Sequence, residues 1–453
     1  MKKKRQKIFL IFAIALLVAA VAVAAWFFLF EREGLPLTIV DVRGNEMVKV
    51  SSPEDYAKDP RRAYLDIVID EALSVLTEQI GEKKARETLW IHGYTAYTTF
   101  DQNLFDAVQI AEKTWSSSAD AAIAVTDLQG NLLAAYSNSN AGFNFATAKH
   151  KPHSAWKPLS VYMQAIEAGK ADWSTMYEDS PYKEIKTEDG KLQPWPSNNT
   201  GIYTNKKITL QEALKQSVNT VAVKCLADVG VGNSIKFLQE KLGLAMTYES
   251  KMTEVGGEDE VIGNVALGSL AEGVSAVDMA GYYQIFATEG TYICPQTLRK
   301  MENAAGENIY IRKAQSQQII SPETAVIMNR MLQSVVAENG TGAAAYCQDI
   351  QIAGKTGTGT DFTDNWFVGT TPQYSVAVWH GSEESNRAAE LAGSVIRGLY
   401  DVNTYAPREF QSETKLQQVV YCTESGKAFG KHCTSIAMGW FAADKIPQQC
   451  FEH

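Results

Sequence analysis

The chain has 453 residues, 45% of them apolar and 21% charged, without low-complexity tracts or internal repeats. That excludes disordered, collagenous and solenoid classes and leaves room for about two to four domains. Five of its 42 cations sit in Met1–Lys7, so the remainder carries 37 cations against 52 anions, a balance that argues against nucleic acid or anionic lipid as the main partner.

Ile8 to Phe30 is a run of 23 residues without a charge, long enough to cross a bilayer. The cations before it place the N-terminus in the cytoplasm and everything after Glu31 outside. A cleaved signal peptide is the competing reading. Ala22-Val23-Ala24 has the right small-residue look, but cleavage there would fall inside an apolar run longer than signal peptides use.

Leu35 to Asn45 reads as a short strand-like or irregular stalk. From Pro60 to Leu89, Tyr64, Ile67, Val68, Leu73, Leu76 and Ile80 recur at three- and four-residue spacing, which predicts a helix. Gly93 to Phe100 is aromatic and Thr-rich and predicts a strand; Asp101 predicts the N-cap of a helix through Thr114. Ala121 to Tyr136 predicts a hairpin turning at Asp127–Asn131. Ser154 opens a helical run to about Glu167, with Pro158 tolerated in its first turns. Leu210 to Val229 predicts one helix carrying Ser217 at its approach or within it; Ser275–Thr288 and Pro322–Ala337 predict two more. Ile350 to Ala353 leads as a strand into Gly354-Lys355-Thr356-Gly357, and Asn365–Gly369 and Tyr374–Trp379 supply two others. Strands at both ends with helices between predict an α+β fold whose first strands pair with its last.

Three short motifs stand in order. Ser-x-x-Lys occurs at Ser154/Lys157, Ser180/Lys183 and Ser412/Lys415, and only the first opens an apolar helical run. Helical spacing of three puts its hydroxyl and amine on one face. Ser-x-Asn occurs at Ser197, in a Pro/Asn-rich loop, and at Ser217, among helix formers; the latter fits better. Lys355-Thr356-Gly357 occurs once, after a strand. Each motif alone is weak, and the ordered trio is strong.

The chemistry explains the residue types. A serine hydroxyl is a poor nucleophile until a neighbouring base takes its proton. His92, His150, His153 and His380 show no acid partner at a telling spacing, so His153 reads as a turn residue before the serine. A lysine held near other cations and partly desolvated has a lowered pKa and can be the base. Lys157 is placed for that role, Ser217 for relaying a proton, and Lys355 for attracting an anionic substrate terminus. This constellation calls for no cofactor and no metal.

The trio, with Gly93–Asp101, Val265–Ala280, Gly354–Thr358 and Asp364–Gly369, resembles the transpeptidase part of class A penicillin-binding proteins over roughly residues 60 to 453. The resemblance implies a penicillin-recognising, β-lactamase-like fold, an antiparallel sheet flanked by helices, with the site at the sheet edge. It implies a D,D-transpeptidase: Ser154 attacks the penultimate D-alanine carbonyl of a peptidoglycan stem peptide, and an amine from a second stem resolves the acyl-enzyme. Lys157 would be the base and Ser217 the proton shuttle. The Asn219 amide would bond the acyl chain, and Lys355, Thr356 and Thr358, with Gly357 between them, would receive the substrate carboxylate. The Ser154 and Thr358 N–H groups would form the oxyanion hole. β-Lactams would acylate the same serine. The implied organisation is a cytoplasmic tail (1–7), a transmembrane anchor (8–30), a stalk and linker (31–118), the transpeptidase domain (119–410) and a Cys-containing tail (411–453).

Two departures matter. About 30 residues separate Phe30 from the first linker helix, too few for the glycosyltransferase domain of class A members. The expectation is therefore a protein that works beside a separate glycosyltransferase. Gly359 adds a glycine at the end of the third motif, where it would loosen the strand. A D,D-carboxypeptidase or endopeptidase is the chemically nearest alternative. A β-lactamase is disfavoured by the lack of a Glu-x-x-Leu-Asn segment between Asn219 and Lys355, and a β-lactam sensor by the seven-residue cytoplasmic tail.

Cys225, Cys294 and Cys347 read as small buried hydrophobes. Cys422, Cys433 and Cys450, with His453, admit a disulfide, free thiols or a Cys3His zinc site.

Overall fold

The structure, a computed structural model, describes residues 34–115, 119–139, 142–186, 190–244, 257–359, 364–382 and 386–452. The apolar run Ile8–Phe30 lies outside them, and no helix among the described residues is long and apolar enough to cross a membrane. The chain forms two compact units.

The smaller unit gathers residues 34–59, 68–98 and 298–312. Its five-stranded sheet runs in the order Asn308–Ile311, Leu298–Glu302, Thr95–Thr98, Leu37–Val40, Glu46–Val50. Leu37–Val40 and Thr95–Thr98 are parallel, an arrangement that needs the long intervening crossover. The helix expected over 60–89 is two helices, Arg62–Ile80 and Glu82–Thr88, parted at Gly81 with φ 81°. The hairpin Leu298–Ile311 was not legible as part of this sheet, since its partners lie two hundred residues earlier.

The larger unit is built on an antiparallel sheet of β1 (Ala121–Asp127), β2 (Leu132–Ser137), β3 (Ala353–Thr358), β4 (Asn365–Thr370) and β5 (Tyr374–His380). The order is β3-β4-β5-β1-β2, so the first strands do pair with the last, through β5 and β1. Every residue of β1 and β5 is buried, which requires cover on both faces. The helices α1 (Gln102–Trp115), α2 (Leu210–Lys215), α3 (Asn219–Val229), α4 (Ala276–Tyr283), α5 (Pro322–Val336) and α6 (Arg387–Val402) follow in chain order. Helix α4 packs on β5, β1 and β4, while α6 packs on β5, β4 and α1. Helix α6, strongly amphipathic, had no counterpart among the expected elements. Asp101 caps α1 by accepting from the Asn103 N–H at 2.9 Å, and Ser275 caps α4 in a reciprocal box with Asp278.

Strand β3 is the edge strand and contains the whole third motif. The strand expected before Gly354 thus begins only at Ala353 and runs to Thr358. Cys225 and Cys347 are buried as expected; Cys294 is exposed, just past the short surface strand Thr291–Ile293.

Candidate active site

Ser154 stands on a turn that its neighbours clamp. His153–Trp156 is a 3-10 turn, Pro158–Tyr162 a π turn and Met163–Glu167 a short α-helix, so the expected helical run exists but is irregular. Pro158 has no N–H to give and interrupts the ladder there. In a 3-10 turn side chains three apart eclipse, which puts Ser154 and Lys157 on one side. Trp156 is fully buried beneath it. The turn is pinned by Tyr283, whose hydroxyl donates to the Ala155 carbonyl at 2.6 Å, and by Trp366 Nε1 donating to the Lys151 carbonyl at 2.9 Å. The His153 N–H donates to the Gly268 carbonyl at 3.1 Å, which is how the Val265–Ala280 segment reaches the site.

Edge strand β3 lies directly against this turn. A Cβ on Gly357 would sit 2.3 Å from the Pro152 carbonyl oxygen and 3.1 Å from the Ala155 nitrogen, so only glycine admits this approach. Thr356 and Thr358 then share the half-exposed face of the strand, with Lys355 and Gly357 buried between and beside them. Gly359 does not end the pairing: its N–H donates to the Asp364 carbonyl at 2.9 Å.

The expected helix over 210–229 is broken. Helices α2 and α3 are separate, and Ser217 between them adopts φ 59°, a left-handed conformation costly for a serine. The break frees the Ser217 carbonyl from helical bonding, and it accepts from Lys157 Nζ at 2.7 Å. Lys157 Nζ also donates to Asn219 Oδ1 at 2.6 Å and lies 3.3 Å from Ser217 Oγ. From the other side, Lys355 Nζ donates to Ser217 Oγ at 2.9 Å and to the Thr356 carbonyl at 2.9 Å. One hydroxyl therefore sits between two amines.

Both lysines are 0% exposed, and the hydrogen-bond partners of their amines are carbonyls, hydroxyls and an amide, with no carboxylate among the described residues. Burial and then the neighbouring Lys355 ammonium push the Lys157 pKa well below the ordinary lysine value. Burial brings Lys355 down to about 7. An amine that is neutral near physiological pH is able to accept a proton.

The site includes residues that the sequence did not single out. The Ser197–Asn199 loop, set aside as the weaker Ser-x-Asn match, lies against Asn219. Asn219 Nδ2 donates to the Ser197 carbonyl at 2.8 Å and to Asn199 Oδ1 at 3.1 Å, while Asn198 Oδ1 accepts the Asn219 N–H at 3.0 Å. The Asn219 amide, expected to bond an acyl chain, thus bridges Lys157 and this loop. Behind it the buried Asp179 accepts from Asn198 Nδ2 and from the Thr220 hydroxyl, each at 2.7 Å. Burial raises the Asp179 pKa, but the bonds from Thr204, Asn198 and Thr220 together outweigh it and lower the value overall. Thr341 faces Thr356, hydroxyl to hydroxyl at 3.3 Å.

The histidines correct the sequence reading more directly. Asp364 is an acid partner after all: His150 Nδ1 lies 3.7 Å and His153 Nε2 3.8 Å from its carboxylate, and Trp379 Nε1 donates to it at 2.8 Å. His153 is a turn residue as expected, with φ 48°, but it is also one of a pair flanking a carboxylate. Sequence separation of more than two hundred residues hid the contact.

With this geometry in view, comparison with known proteins is informative. The family described as penicillin binding protein transpeptidase domain matches residues 120–400. Penicillin-binding protein 1A of Clostridium botulinum is 34% identical over 257 residues, covering 54% of this chain and 30% of that protein. Penicillin-binding protein 2a of Streptococcus pneumoniae is 32% identical over 370 residues, covering 75% of this chain and 46% of that protein. The chain thus spans about a third to a half of the length of these relatives. Among solved structures, the D,D-transpeptidase domain of a peptidoglycan glycosyltransferase from Eggerthella lenta aligns with a TM-score of 0.64 at 20% identity, covering 82% of this chain and 100% of that one. PonA1 of Mycobacterium tuberculosis in complex with penicillin V aligns with a TM-score of 0.62 at 21% identity, covering 82% of this chain and 98% of that one. At such identities the two structures establish the fold, and the family match over most of the chain establishes the rest: the protein belongs to the penicillin-binding protein transpeptidase family.

Proposed function

We propose that the chain is a serine D,D-transpeptidase that cross-links peptidoglycan stem peptides and is acylated by β-lactams at Ser154. The observation that carries this is the Ser217 hydroxyl held between two fully buried lysines whose amines have no carboxylate partner among the described residues. Lys157, as a neutral amine, takes the proton from Ser154 Oγ while that oxygen bonds to the carbonyl carbon of the penultimate D-alanine. The tetrahedral intermediate collapses as the C–N bond breaks. The departing D-alanine amine receives its proton from Lys157 through the Ser217 hydroxyl, leaving an ester on Ser154. An amine of a second stem peptide then attacks the ester, returns a proton to the site and restores the Ser154 hydroxyl.

Lys355, Thr356 and Thr358 receive the substrate's terminal carboxylate, whose charge favours the ammonium form of Lys355. Asn219 holds the Lys157 amine in place. Edge strand β3 offers an extended substrate a strand to lie beside. The uncharged run Ile8–Phe30 supports a single-pass anchor with the catalytic domain outside the cell, and the short distance from that run to the linker supports a separate glycosyltransferase partner. Carbonate extraction of membranes tests the first, and a glycan-polymerisation assay on the pure protein tests the second.

The deciding experiment is fluorescent-penicillin labelling of the full chain beside Ser154→Ala, followed by peptide mapping of the adduct. A penicilloyl ester on Ser154, together with D-alanine release matched by cross-linked dimer when an amine acceptor is present, is expected. Folded protein with no mark on Ser154 overturns the proposal. D-Alanine release without cross-linked product at any acceptor concentration replaces the transpeptidase with a carboxypeptidase.

A further inference from the structure

The last stretch of the chain holds a cluster that chemistry at Ser154 does not use. Residues 411–452 form a two-stranded antiparallel ribbon, β6 (Gln417–Cys422) and β7 (Ile436–Phe441), with irregular chain around it. Its core is thin. The buried apolar residues in this stretch are Tyr421, Cys422, Phe441, Ala442 and Cys450, so two of its five core side chains are thiols. A ribbon of this size is marginal without a further cross-link.

Three separate segments bring sulfurs to one point: the end of β6 with Cys422, the turn after Gly430 with Cys433, and the C-terminal stretch with Cys450. Their Sγ atoms all lie within 4.8 Å of one another, with Cys422 and Cys450 buried and Cys433 half-buried. The backbone is shaped to this convergence. The Cys450 N–H donates to the Ala428 carbonyl at 2.7 Å, and the Cys422 N–H donates to the Lys427 carbonyl at 2.8 Å. A Cβ on Gly430 would sit 1.9 Å from the Cys450 carbonyl oxygen, so only glycine lets the Cys433 turn lie this close to Cys450. Two of the sulfurs already accept hydrogen bonds. The Gly430 N–H points at Cys433 Sγ, and the Ser425 hydroxyl at Cys450 Sγ, each at 3.3 Å. Such donors are the outer contacts that orient a metal-ligating sulfur.

We propose that Cys422, Cys433 and Cys450 bind one Zn2+ ion that staples this tail. Tetrahedral zinc with Zn–S bonds of about 2.3 Å sets its sulfurs roughly 3.8 Å apart, a contraction that side-chain rotation supplies. A disulfide would join two sulfurs at about 2.0 Å and leave the third over. An all-sulfur donor set selects a soft or borderline ion, and three converging thiolates supply three of the four ligands that tetrahedral zinc takes. Each thiol loses its proton to solvent as its sulfur bonds the ion, and zinc changes no oxidation state. The fourth position is open to solvent or another ligand; His453 lies outside the described residues and the proposal does not depend on it. The ion would hold together a surface that grips the rest of its unit. The Ser174 hydroxyl donates to the Gly426 carbonyl at 2.6 Å, and the Arg330 guanidinium lies 4.0 Å over the Trp440 ring. This inference is independent of the reaction assigned to Ser154.

The test is elemental analysis of the full chain purified without chelators, beside Cys422→Ser, Cys433→Ser, Cys450→Ser and the exposed-cysteine control Cys294→Ser. About one zinc per chain is expected in wild type and in Cys294→Ser, falling several-fold in the other three. Penicillin labelling of the same samples reports whether the remainder of the unit is folded. Because a serine variant that unfolds its tail would also lose zinc, wild type stripped of metal is reloaded with Co2+. Thiolate-to-cobalt charge-transfer absorption with intense tetrahedral d–d bands is expected. Wild type that holds no zinc and takes up none, zinc retained in all three variants, cobalt spectra without thiolate bands, or a disulfide among these cysteines in protein isolated from the envelope would each overturn the proposal.

Discussion

In the cleft, Lys157 and Lys355 have no carboxylate partner among the described residues, and Lys355 belongs to a sheet whose strands β1 and β5 are buried along their whole length. In the tail, only four of the twelve residues of β6 and β7 are buried, and the thiols themselves make up part of the little core there is. The first region tolerates groups that cost stability, namely two desolvated amines and a serine at φ 59°, because a large apolar core surrounds them. The second has no such reserve, and its reactive groups must contribute to holding it together. Clustered reactive side chains are thus a cost to the fold in one place and a support in the other.

The sharpest way to break this comparison is at the nucleophile. Ser154→Ala is expected to abolish the penicilloyl adduct and lower D-alanine release by at least about 10³-fold, with thermal unfolding scarcely moved. A large drop in unfolding temperature would mean that the hydroxyl supports the turn rather than the reaction.

Lys355→Ala comes next, at about 10²-fold in acylation rate. Removing a positive neighbour favours protonated Lys157, so its pKa rises and the acid limb of the acylation profile moves to higher pH. A limb that stays put would separate the two amines. The Lys355 amine itself, at about 7 in the folded chain and about 10.4 unfolded, makes stability rise with pH across that window, because the unfolded state binds the extra proton. Melting curves of wild type and Lys355→Met between these limits measure the difference.

Gly357→Ala forces a methyl against the Pro152 carbonyl. About 1–3 kcal/mol of stability is expected to be lost, with slower acylation, read from denaturant unfolding and penicillin labelling together. Asp364→Asn is expected to cost about 1–2 kcal/mol at neutral pH. Burial raises the Asp364 pKa, but bonds from His150, His153 and Trp379 outweigh it and hold the carboxyl well below its usual range. Its contribution is therefore complete above about pH 4 and disappears as pH falls further, so the variant and wild type should converge in acid. Arg330→Ala has the smallest expected effect, about 0.5–1 kcal/mol from the lost cation–π contact. It should show as faster amide exchange in β7 and leave the cleft unaltered.

The ordered Ser154/Lys157, Ser217/Asn219 and Lys355–Gly357 motifs, the β1–β2 hairpin and the cap at Asp101 were legible in the amino-acid sequence by itself. Each is written in spacings of two to five residues, where hydrophobic period, turn chemistry and helical register act locally. Tertiary structure alone decided that α2 and α3 part at Ser217, that Asp364 meets His150 and His153, that Leu298–Ile311 joins a sheet begun near residue 37, and that three tail sulfurs converge. These depend on burial and pairing between segments far apart in the chain, and local propensity carries no record of which distant backbone will supply the missing partner.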